Sequence, residues 1–166
     1  MIVDINELNV KINGELKSEI SKLLRNEISR LGEVLNRTKK REAKLLNEVA
    51  IRLINGERDR ATSLAKEVIE LRKICKALAE SIKALGVINL KLSAAANDRE
   101  FVKIVTFSLT VLRSIRHGLM NALPGEEERI DEILEKFYEV FNEVANQIVD
   151  PEVQSVFDEA LRRLRY

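Results

Sequence analysis

Apolar residues return every three or four positions along most of the chain, which is the period of an α-helix. Residues 14–54 carry one stripe: Leu16, Ile20, Leu24, Ile28, Leu31 and Leu35, resuming at Leu45, Val49 and Leu53. A second stripe reads Ala61, Leu64, Val68, Leu71, Cys75, Leu78, Ile82, Leu85 and Leu92, and no proline interrupts residues 56–96. Between the two lies Asn55-Gly56, a pair that takes the left-handed conformation ending a helix. A helix of forty residues rises about 60 Å. That exceeds the width of a small domain, so each stripe needs a partner of equal length. Two such helices joined by so tight a turn predict an antiparallel hairpin, Gly14 to Ile54 and Glu57 to about Ala96.

The remaining pattern predicts three shorter helices. Residues 94–100, AAANDRE, form a soft break in which Asn97 and Glu100 have the spacing of a capping box. No proline prevents the second helix from running on into the third, so the junction is readable as closed or continuous. The third helix, residues 100–123, is apolar on nearly every side: Phe101, Val102, Ile104, Val105, Phe107, Leu109, Val111, Leu112, Ile115 and Leu119. Such a helix is buried on several sides or waits for another chain. Pro124-Gly125 stops it. Glu126, Glu127 and Glu128 open a fourth helix with the stripe Ile130, Ile133, Leu134, Phe137, Phe141, Val144 and Ile148. Asp150-Pro151-Glu152 starts a fifth, with Val153, Phe157, Leu161 and Leu164 apolar. Residues 1–13 alternate loosely and read as a strand, an extended arm or a lead-in packed on the body. Gly86 marks a bend or a close contact inside the second helix. The predicted fold is all-α and a single domain of 166 residues, a long helical hairpin with helices 3–5 packed on it.

Composition agrees with long charged helices: 45% hydrophobic, 33% charged, no tryptophan and two prolines. The net charge of +1 hides an asymmetry. Residues 1–123 hold 23 Lys and Arg against 15 Asp and Glu, whereas residues 124–166 hold 5 against 12. A basic core followed by acidic helices suits a surface that meets anions and is guarded by its own C-terminal part; the plainer reading is two surfaces that differ in charge. Cations are densest at Arg37, Lys39, Lys40, Arg41 and Lys44, with only Glu42 among them. This is the candidate membrane-binding patch, each cation contributing on the order of 1 kcal/mol at an anionic surface. A solvated helix face is the alternative. Nucleic acid is not an expected partner, because the patch lacks aromatic stacking residues.

Little else carries chemistry. The single cysteine fits a reducing compartment, and Cys75 sits on an apolar stripe as a small core residue. No apolar run reaches the roughly 18 residues of a membrane span. His117 is the only histidine, and no second ligand stands at metal-binding spacing. Phosphate loops and nucleophile–base pairs are missing as well. The expectation is a cytoplasmic, peripheral protein with no catalytic residues, no metal and no cofactor.

Residues 56–78, GERDRATSLAKEVIELRKICKAL, resemble the start of helix 2 in archaeal ESCRT-III proteins, the CdvB group of cell division. The motif is a glycine turn, charged residues, an alanine-rich opening, then E-[IV]-x-E-[LI]-R-K, here Glu67-Val68-Ile69-Glu70-Leu71-Arg72-Lys73. The order of a basic hairpin, an apolar helix 3 and an acidic helix 4 is similar too, over about residues 14–148. The resemblance implies a subunit that polymerises with itself and with paralogous ESCRT-III subunits, binds anionic membrane at its inner face or the division site, and remodels it in division or budding. It implies a switch or polymer interface at Asn97, Phe101, Ile104, Val105 and Leu112. It implies disassembly by an AAA ATPase gripping an L-x-x-R-L-x-x-L-K motif, which Phe157, Leu161, Leu164 and Arg165 match loosely, Ala160 standing where arginine belongs. The alternative function is a non-polymerising helical-bundle adaptor that binds a protein partner through helix 3.

Overall fold

Asn13 opens the first helix: its side-chain oxygen accepts the Glu15 backbone N–H at 2.8 Å, satisfying a donor that the helix cannot. From there the computed structural model, which describes residues 10–147 and 151–165, is helical throughout. The helices are α1 (Gly14–Ile54), α2 (Arg58–Ala94), α3 (Asp98–Ala122), α4 (Glu128–Asn146) and α5 (Pro151–Arg165). Among the described residues there is no strand.

The turn between α1 and α2 is a Schellman motif. Gly56 takes φ +73°. Its N–H donates to the Leu53 carbonyl at 3.2 Å, and the Glu57 N–H to the Arg52 carbonyl at 2.9 Å. Two orphan carbonyls of α1 are thereby satisfied, and only glycine meets the backbone requirement without strain. Arg52 and Glu57 also pair across the turn at 2.9 Å. The chain reverses in three residues, and α1 and α2 zip antiparallel along their stripes, as the pattern predicts. Gly86 has nothing within 4 Å of where a Cβ would stand, so it marks no close contact.

The hairpin has two thicknesses. At its base, α3 rises along α2 and α4 descends between α3 and α1, closing a four-helix bundle. Leu16, Ile20, Leu24, Leu31, Leu78, Leu85, Val102, Val105, Leu112, Leu119, Ile130 and Phe137 form its core. Beyond Leu31 on α1 and before Leu78 on α2, only Ala61 and Val68 are fully buried. There, among the described residues, two helices stand alone as an arm. A pair of helices covers only its own seam, so Leu45, Val49, Leu64 and Leu71 are half-buried, and Leu53, expected on the stripe, is exposed.

The third helix is buried on several sides, chiefly by α2 and α4. The break before it is closed. Asn97 accepts the Glu100 N–H at 2.9 Å, and the Glu100 carboxylate accepts the Ala96 N–H at 2.8 Å. That is the capping box read from sequence, displaced by one residue on its return arm. α5 lies along α4, with Leu161 buried and Phe157 and Leu164 half-buried. The positions Ile2, Val3, Ile5, Leu8, Ile148 and Asp150 fall outside the described residues, as do the side chains of Val153 and Arg165.

Candidate functional site

The basic patch lies on the free arm. Arg37, Lys40, Arg41 and Lys44 follow helical steps of three and four, which puts them on one outward side of α1. All four are exposed. Among the described residues none of them has an ion-pair partner. Lys39 steps away to the flank of the seam, close enough to Cys75 to act on its thiol, whose pKa burial raises and Lys39 opposes. Glu42, the acid within the patch, turns into the seam and pairs with Arg72 of α2 at 2.8 Å. It is thereby removed from the outward face, leaving the cations uncompensated. The arm between residues 34 and 77 holds 12 Lys and Arg against 6 Asp and Glu. A slender projection with excess positive charge offers its field to any extended anionic surface.

The acidic C-terminal helices are fastened to the base, away from the arm. Three polar links do this. Glu27 of α1 is 2% exposed. It receives Arg30 in a forked pair at 3.0 and 2.6 Å. Arg30 also donates to Glu126 in the α3–α4 turn. Hydrogen bonding to Glu27, against a burial cost, raises the Arg30 pKa further above its usual value. Arg116 of α3 pairs with Asp131 of α4 at 2.5 Å, and Lys136 of α4 with Glu19 of α1 at 3.0 Å. The first of these links was missed in the sequence pattern. Its signal was present: Glu27 stands three from Leu24 and four from Leu31, in the core-facing register. The structure buries Glu27 there and leaves Ile28 half-buried.

A second clamp gathers the extended residues 10–13. Val10 and Ile12 are buried. Three successive backbone N–H groups meet side chains from other helices. Lys11 donates to Gln147 at 2.9 Å, Ile12 to Asp98 at 2.8 Å and Asn13 to Glu143 at 2.8 Å. The Gln147 amide also donates to the Lys11 carbonyl at 2.6 Å, so it reads that peptide from both sides. Asp98, the first residue of α3, further receives the Lys17 ammonium at 2.7 Å. Burial opposes its ionisation, but the bonds from Lys17 and the Ile12 N–H prevail and hold its carboxyl below the usual range.

A depressed carboxyl contributes stability that is complete above its unfolded pKa, near 4, and is lost as pH falls through the lower folded value. Asp98→Asn should therefore cost about 1 kcal/mol at pH 7. The gap to the parent should narrow as pH falls from the unfolded value near 4 through the lower folded one. Urea titrations of both proteins at pH 7 and pH 3 check this; a gap that stays constant with pH contradicts it.

Of the expected switch residues, Asn97 and Phe101 sit at this closed junction, and Ile104, Val105 and Leu112 follow along α3. Asn97 is the exposed N-cap of α3, Ile104 is half-buried, and Phe101, Val105 and Leu112 are inside the bundle. The last three reach a neighbour only if α3 leaves its seat. Phe157, Leu161 and Leu164 line a cavity with Val102, Phe141 and Val144 on the side of α5 that faces the bundle. The Leu164 carbonyl at the end of α5 accepts the Tyr138 hydroxyl at 3.0 Å and the Arg113 guanidinium. The Arg165 side chain lies outside the described residues. His117 is exposed and within 3.1 Å of Asn121. Among the described residues no three His, Cys, Asp or Glu side chains gather as a metal site, and no helix is long and apolar enough to cross a membrane.

Over 117 residues, 70% of its length, the chain is 27% identical to a protein named Cell division protein B from Sulfolobus acidocaldarius. The aligned part spans 44% of that relative. No protein-family model matches the chain. No solved structure matches it either.

Proposed function

We propose that this protein acts in cell division as an ESCRT-III-like filament subunit that binds anionic membrane through the arm of its hairpin. One observation carries the reading: the arm projects from the bundle with Arg37, Lys40, Arg41 and Lys44 exposed on one side and, among the described residues, unpaired, while the acidic helices are held at the other end. The similarity to Cell division protein B supports the division role. The junction at Ala95–Asn97 supports the switch. It is held by a capping box and the Asp98 clamp, both made of polar contacts, and no proline blocks a continuous α2–α3 helix. Release of α4 and α5 would free Phe101, Val105 and Leu112 for a neighbouring subunit or paralogue. The same release would present Phe157, Leu161 and Leu164 to a disassembling ATPase.

Charge reversal of Arg37, Lys40, Arg41 and Lys44 to glutamate tests the membrane part. At about 1 kcal/mol per cation, binding to vesicles rich in anionic lipid should fall on the order of a thousandfold. Helix content should stay unchanged, because all four side chains are exposed. Vesicle sedimentation reads the outcome, and undiminished binding removes the arm from the mechanism. Removal of residues after Leu123 tests the assembly part: negative-stain images should show filaments where the full chain gives fewer. A chain that stays monomeric in both forms, with and without vesicles, favours the adaptor reading.

A further inference from the structure

Among the described residues, two of the uncovered apolar features lie far apart on one chain. The first is the tip of the arm, where Ile54 is 84% exposed and Leu53 and Ile51 are each more than half exposed. The second is a groove on the outer face of the bundle between α2 and α3. Ala84, Val87, Val111 and Phe107 line it. Phe107 is 69% exposed, with the Lys91 ammonium 5.3 Å from its ring centre. An exposed phenylalanine beside an exposed valine is an unusual cost for a surface that meets only water. Neither α1, α4 nor α5 covers this face among the described residues.

We propose that the arm tip of one copy docks into the α2–α3 groove of the next. The partner is a second copy for three reasons. First, tip and groove cannot meet within one chain: Arg58 and Ala84 lie on the same uninterrupted helix, about 40 Å apart along its axis. Second, individual charges without a partner on the two sides can be matched. At the tip, Arg52 and Arg60 both turn to Glu57. That leaves Glu48 and Asp59 as acids without an ion-pair partner among the described residues. The groove is flanked by Lys83 and Lys91, likewise without one. Third, Arg58 and Glu80 offer a pair of opposite sense at the same contact. A contact between two different patches repeats without closing when the rotation does not return to the start, and so produces an open chain of subunits. This rests on the filament reading and names one contact that builds it in the closed state of the subunit.

The test uses two full-length variants, Ile54→Asp and Phe107→Asp. Both positions are exposed, so both variants should keep the parent's circular dichroism and melting. Each should raise the concentration needed for assembly by about thirtyfold or more, as loss of a central apolar anchor does. Mixed one to one, they should form a discrete dimer and nothing larger, because each supplies the half the other lacks. Sedimentation velocity reads all three samples. Variants that assemble like the parent, or a mixture that stays monomeric while the parent assembles, overturn the contact and leave the filament reading standing. A parent that never assembles, with or without anionic vesicles, overturns both.

Discussion

Arg30→Ala is expected to destabilise the protein by about 3 kcal/mol or more, the cost of leaving a buried charge without its partner. Glu27 is 2% exposed and takes both of its charge-assisted bonds from Arg30. Truncating the arginine strands that carboxylate on the buried side of α1, in register with Leu24 and Leu31. The double variant Glu27→Leu, Arg30→Ala should recover most of the loss, since leucine suits the register that Glu27 occupies. Glu126→Ala removes a partner that is more exposed, 28% at the side chain. Its cost should stay near 1 kcal/mol. Urea unfolding of the parent and the three variants measures these differences. A double variant no better than Arg30→Ala would show that the pair does more than satisfy its own charges.

Phe137→Ala should cost about 3–5 kcal/mol, whereas Val49→Ala on the arm should cost about 1 kcal/mol or less. Phe137 is fully buried at the centre of the four-helix base. Its removal leaves a cavity with neighbours on every side. Val49 is half-buried in a seam only two helices thick, and solvent already touches it. The same contrast predicts amide exchange: residues 37–77 should exchange through local opening well below the global stability, and Leu78–Ile88 should be protected to near it. Equal protection along α2 would mean that the arm is covered in solution. That outcome would itself point to self-association, because nothing among the described residues covers the arm.

The arm's weakness follows from its geometry and bears on the proposed function. An arm with few fully buried residues bends and frays at low cost, and its cations can follow a curved anionic surface. The base is built in the opposite way, with apolar layers and polar clamps that hold α4 against α1 and α3. The proposed switch therefore concerns the base, and the proposed membrane contact concerns the arm.

The hairpin was legible because it depends on near neighbours in sequence. Two stripes of equal length, an Asn-Gly turn and no internal proline leave few ways to bury the apolar faces, and the helix limits Gly14–Ile54 follow from that alone. The stop at Pro124-Gly125 and the Asn97–Glu100 cap were readable for the same reason: each is a contact within four residues. The tertiary structure decided what depends on distant pairs. It decided that α3 and α4 cover only the base, because the lengths of these helices do not say where along a longer hairpin they settle. It buried Glu27 against Arg30 and Glu126, a partner 96 residues from Arg30 in the chain. It turned Glu42 into the seam and so left Arg37, Lys40, Arg41 and Lys44 unopposed. Periodicity assigns each residue a side of its own helix, and only the packing of one helix against another says which sides meet water.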